Sequence, residues 1–139
     1  MEKVQWDNGL SVGVALIDEQ HKELMQKIND VYEAIEIQQG PMEIVKILGF
    51  LEEYTDYHFS AEEKHMQENS YPGLQLQKQE HQKFKDILQQ LIQDFKEEGA
   101  TSALAEDIKT LLTNWLIKHI SGIDKEFGTF LIEKNIVIS

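Results

Sequence analysis

The sequence contains no cysteine and only two prolines, and no apolar run in it approaches the ~20 residues that a membrane span needs. Without thiols, disulfides, thiolate zinc sites and cysteine-ligated iron–sulfur clusters are all excluded. Positive charge is also scarce. Thirteen Lys plus Arg stand against 25 Asp plus Glu, a net charge of −12. That field repels phosphate backbones and anionic headgroups, so neither nucleic acid nor a membrane surface is an expected partner. The opening residues, Met1 to Asp7, lack the apolar stretch of a secretory signal, and a cytoplasmic setting is expected.

What remains is the balance of a globular chain. With 139 residues, 41% of them hydrophobic, the length suits a single domain over residues 1–139. Gly40-Pro41, Tyr71-Pro72-Gly73 and the stretch from Glu97 to Ser102 read as breaks, with Gly99 closing one helix and Ser102 opening the next. Between the breaks, apolar residues recur at steps of three and four. The first helix is expected to start at an Asp18 N-cap and end near Gln39, with Leu24, Ile28, Val31 and Ile35 facing inward. The second carries Ile44, Leu48, Leu51, Thr55, His58, Glu62 and His65 on one seam. The third carries Leu74, Gln77, His81, Phe84, Leu88, Leu91 and Phe95, and the fourth Leu104, Ile108, Leu111 or Leu112, Trp115 and His119. The expectation is an all-α fold, an antiparallel up-down-up-down four-helix bundle with an irregular N-terminal arm over residues 1–17.

Every histidine falls on an inward seam. His21 lies near the start of helix one, His58 and His65 near the end of helix two, His81 near the start of helix three and His119 near the end of helix four. In an antiparallel bundle those positions share one end, together with Glu62. A buried carboxylate without a cation costs several kcal/mol, and a metal ion offsets that cost through coordinate bonds. The donors outnumber the four that a tetrahedral zinc takes, and carboxylates able to bridge suggest two metals. Iron is the preferred ion; zinc and manganese stay open on spacing alone. Asp124 follows His119 by five residues, a step that turns about 140° on a regular helix. Ser121-Gly122 between them would permit a π-like turn, and periodicity does not decide whether Asp124 faces in.

These residues also carry a resemblance. Trp6-Asp7, Asp18-Glu19-Gln20-His21, Tyr57-His58-Phe59 with Glu62, Tyr71-Pro72-Gly73-Leu74, Glu80-His81, and Trp115-Leu116 with His119 and Asp124 resemble the bacterial hemerythrins over nearly the whole chain. The resemblance implies an oxo- or hydroxo-bridged centre of two Fe ions that binds O2, or another small diatomic ligand, reversibly, as carrier, store or sensor. It implies bridging by Glu62 and Asp124, an open iron on His21 and His58, and a second iron on His81 and His119. Phe59, Trp115, Leu116 and Ile120 would wall the ligand pocket. One position departs from the family: Gln77 stands where a third histidine of the second iron belongs. His65, one turn past Glu62, is the expected replacement. Otherwise Gln77 ligates through its amide oxygen, or that iron is left open. The altered ligand set keeps a second function in play, a di-iron oxidase, peroxidase or nitric-oxide-handling enzyme. A ferritin-like carboxylate site would leave His58, His81 and His119 unexplained.

Overall fold

The computed structural model describes residues 5–139. Four helices make up the molecule: α1 (Ala15–Glu36), α2 (Pro41–Glu68), α3 (Leu74–Glu98) and α4 (residues 102–133). Helix α4 runs unbroken through two π-helical stretches, Ile108–Thr113 and Ile120–Asp124. A short 3-10 turn, Asn8–Leu10, precedes α1. α1 packs on α2 and α4, and α3 packs on the same two, which closes an antiparallel four-helix bundle.

The expected apolar faces are the faces that bury. Leu24, Ile28 and Val31 of α1, Ile44, Leu48 and Leu51 of α2, and Phe84, Leu88 and Leu91 of α3 are all shielded from solvent. Each such side chain contributes about 1.5–3 kcal/mol by leaving water. In α4 Leu112 is inside and Leu111 is exposed, and Leu116 takes the next core position with Trp115 half-buried beside it.

The helix ends differ from the sequence expectation in three places, the first being the close of α1 at Glu36 rather than near Gln39. α1 begins three residues before Asp18, and the Asp18 carboxylate instead accepts from Ser11 Oγ at 2.6 Å and from the Val12 amide at 2.9 Å. Asp18 therefore pins the N-terminal arm to the bundle. At the start of α4 the cap is Thr101, whose hydroxyl accepts from the Leu104 amide at 3.0 Å, with Ser102 already helical. α2 opens on Pro41, which has no amide hydrogen to leave unpaired at the first helical position.

The arm lies across α4, burying Leu10 and Val12. Gly128 makes that approach possible, because a Cβ there would sit 2.2 Å from the Val12 carbonyl oxygen.

Candidate metal centre

The core changes character at one end of the bundle. His21 comes from the second turn of α1, His58 and Glu62 from the last third of α2, Gln77 and His81 from the start of α3, and His119 and Asp124 from α4. All are buried; the most open, His119, is 4% exposed. Asp124 joins the others because Ile120–Asp124 is π-helical. In that geometry the backbone bonds run between residues five apart, so His119 and Asp124 come onto one face.

The donor atoms fall into two groups, each within 4.8 Å: His21, His58 and Glu62, and Glu62, His81, His119 and Asp124. Glu62 belongs to both. Its Oε1 lies 3.4 Å from His58 Nε2 and 3.3 Å from His81 Nε2, while Oε2 lies 3.6 Å from His21 Nε2. Asp124 also spans the groups, with Oδ1 3.1 Å from His119 Nε2 and Oδ2 3.0 Å from His21 Nε2. Despite these short distances, the inward-facing nitrogens and both Glu62 oxygens make no hydrogen bond. Buried polar atoms are nearly always paired, and a concentration of unpaired nitrogen and oxygen lone pairs converging on one space is how a metal site is laid out. The donor set fits two borderline divalent ions: imidazole and carboxylate suit iron, manganese and zinc, and thiolate is absent.

Two of the rings are oriented from behind. His58 Nδ1 donates to Gln20 Oε1 at 2.8 Å, and His81 Nδ1 donates to Glu63 Oε2 at 2.8 Å. Each bond fixes Nδ1 as the outward donor and leaves Nε2 as the nitrogen that faces the centre. Phe59 stacks on His81 with centroids 3.9 Å apart, and Trp115 stacks on His119 at 4.6 Å. Gln20 and Glu63 did not emerge from periodicity. The available signal was position: each is the immediate neighbour of a donor, Gln20 of His21 and Glu63 of Glu62.

In the metal-free chain the carboxylates hold protons on their neighbours. Burial pushes His21 down, but Asp124 and Glu62 outweigh it and lift the ring to about 9. His81 is lifted to about 9 in the same way, Glu62 and Glu63 overcoming burial. Burial prevails at His58 and lowers it to about 4. Burial and Asp124 push the Glu62 carboxyl up, yet His58, His21 and His81 together hold it at about 2. Burial likewise opposes ionisation of Asp124, and His119 and His21 hold it well below the usual carboxylate range.

His65 stands apart from this assembly. It is half-buried near the end of α2 and belongs to neither donor group, while Met66 fills the core position at 0% exposed. A straight helix drifts about 20° per heptad from a strict alternation of three and four. Two successive steps of four, His58 to Glu62 to Met66, correct the drift and turn His65 aside. Phe59, Leu116 and Ile120 are buried in the core. Trp115 instead lines an open groove of about 470 Å³ with Glu80, Lys83, Lys118 and Gly122, which reaches His119.

Residues 12–131 match the family model described as the hemerythrin HHE cation binding domain. The chain is 28% identical to the bacteriohemerythrin of Stenotrophomonas maltophilia, over 92% of this chain and 81% of that one. It is 30% identical to the bacteriohemerythrin of Methylococcus capsulatus, over 88% and 90%. A crystal structure of a hemerythrin point mutant superposes with a TM-score of 0.81 at 26% identity, covering 93% of this chain and 97% of its own.

Proposed function

The chain belongs to the hemerythrin family, and on that footing we propose that its buried centre holds two iron ions and binds O2 reversibly. The observation that carries this reading is the sharing of carboxylates. Glu62 lies in both donor groups, and Asp124 reaches His119 with one oxygen and His21 with the other. Two ions side by side are what such an arrangement accommodates. When bound, a ferrous pair can supply two electrons to O2 and recover them on release.

The chain's own residues set the conditions. His21 and His58 would hold one ion and His81 and His119 the other, with Glu62 and Asp124 between. Gln20 and Glu63 hold the rings of His58 and His81 from behind, so that Nε2 of each is the nitrogen presented to an ion. Phe59, Leu116 and Ile120 keep water from the centre, which favours release of O2 unchanged over its protonation. No general acid or nucleophile is required for that task. Transport or storage by a single domain spanning residues 1–139 in the cytoplasm is the proposed setting. No helix is long and apolar enough to cross a membrane among the described residues.

Anaerobic loading with ferrous iron tests the reading. Two ions per chain are expected, with a visible absorption band that appears under O2 and vanishes under argon. A chain that takes no iron, or a band that never reverses, would overturn it. The groove beside His119 favours one alternative, a redox enzyme whose second ion is reached by a reductant or peroxide. Sustained consumption of O2, peroxide or nitric oxide with an electron donor would mark that enzyme.

A further inference from the structure

Gln77 sits on the inward face of α3, one turn before His81, and is 0% exposed. Its Nε2 donates to Asp124 Oδ1 at 3.0 Å and reaches the Ile123 carbonyl oxygen at 3.5 Å. Both partners can only accept, so together they determine which end of the amide is nitrogen. The other end is then the oxygen, and Gln77 Oε1 is buried with no hydrogen-bond partner. Buried polar atoms are nearly always paired, so an amide oxygen left in that state is an exception that calls for a partner.

The orphan oxygen belongs to a side chain already clasped to the donor group of Glu62, His81, His119 and Asp124. That group has two imidazoles, and His65 does not supply a third. A cation there is the partner that Oε1 lacks. We propose that Gln77 is itself a metal donor, its Oε1 completing the coordination of the second ion; the assignment rests on the two-metal reading above. The Nε2 clasp on Asp124 preorganises it, holding the amide at a fixed angle before any ion arrives. A neutral oxygen is a weaker partner for a borderline ion than imidazole is. Each group has two imidazoles and Glu62 belongs to both, so the amide oxygen is the donor that distinguishes the ion beside Gln77 from the ion between His21 and His58.

Zinc titration of the metal-free chain, with ions counted by native mass spectrometry, tests this without recourse to O2. The wild type is expected to take two zinc ions. Q77H, with an imidazole, should tighten binding of one of the two ions by roughly tenfold or more. Q77L should weaken binding of one of them by a similar factor. Q77E separates a ligand from a mere clasp, because it keeps an oxygen donor but loses the amide hydrogens that hold Asp124. A ligating role predicts that Q77E holds both ions at least as tightly as the wild type; weaker binding of either would overturn the assignment. Should Q77E fail to fold, the wild type decides through the side-chain carbonyl resonance of Gln77. A shift of that resonance as zinc fills the two sites supports ligation, and an unmoved resonance overturns it. Two ions bound with Gln77 unaffected would remove this inference alone. A wild type that takes no second ion would remove the two-metal reading as well.

Discussion

At the scale of single residues, the centre depends on side chains that touch no metal as much as on those that would. Gln20 and Glu63 each accept a ring proton and so aim an Nε2 inward. Gln20→Leu is expected to weaken ferrous affinity roughly 10–100-fold, as loss of an orienting partner does elsewhere. Glu63→Gln, which keeps an acceptor and loses a charge, should cost less; equilibrium titration of both variants checks the order. The protons on the metal-free centre give a pH dependence with a defined sign. His21 and His81 titrate at about 9 folded against 6.5 unfolded, so their contribution to the metal-free fold is complete below 6.5 and is lost as pH rises through 9. Glu62, held at about 2 against 4.5, contributes above 4.5 and loses that contribution as pH falls toward 2. Thermal unfolding with a chelator should show a lower Tm on the alkaline side of 9 than just below 6.5. The metal-loaded chain should lack that alkaline loss, because its imidazoles have already given up their protons. Most of this chemistry was legible in the sequence, since a histidine on an apolar seam is conspicuous. The partners behind the rings were not, because hydrogen bonds across helices leave no periodic trace.

At the scale of elements, the helix ends and the π-helical turn carry the consequences. α1, α2 and α4 each end on a non-glycine residue in the left-handed region, Gln38 at φ 59°, Ser70 at φ 53° and Asn135 at φ 55°. The residue after each donates back five positions: Gln39 to Ala34, Tyr71 to Met66 and Ile136 to Leu131. A side chain at such a position is strained by about 1 kcal/mol. Ser70→Gly should therefore stabilise the chain by about that amount in denaturant unfolding, with the metal centre unaffected. The π-helical stretch Ile120–Asp124 is the element that delivers Asp124. Inserting one residue after Ser121 would put Asp124 six residues beyond His119, a spacing that neither an α-helical nor a π-helical turn returns to the same face, and would rotate the rest of α4 with it. The helical content should persist and the metal count should fall, which circular dichroism and metal analysis distinguish. Spacing left Asp124 undecided because an α-helix and a π-turn give opposite answers for a step of five. The same ignorance of local winding made Leu111 and Leu112 interchangeable and placed His65 where Met66 belongs.

At the scale of the molecule, one bundle serves two tasks at its two ends. The half below the centre is an apolar core of leucine, isoleucine and phenylalanine, and it holds four helices rigidly enough to bring ionisable groups together. The arm adds a clamp at the opposite end, beside the centre, through Asp18 and through the close contact of Val12 with Gly128. Gly128→Ala would drive a methyl group into the Val12 carbonyl and is expected to cost about 1–3 kcal/mol, measured by thermal unfolding. Helix number and order were readable from seam spacing and from the Gly-Pro breaks. The arm's course was not, because its contacts are a carboxylate and a carbonyl rather than a hydrophobic pattern. The central claim is that Glu62 and Asp124 are shared between two metal ions. Anomalous diffraction at the iron edge from crystals of the iron-loaded chain tests it most directly. Two peaks are predicted, one beside His21 and His58 and the other beside His81 and His119, with both carboxylates between them. A single peak, or peaks that leave Glu62 or Asp124 to one side, would contradict it.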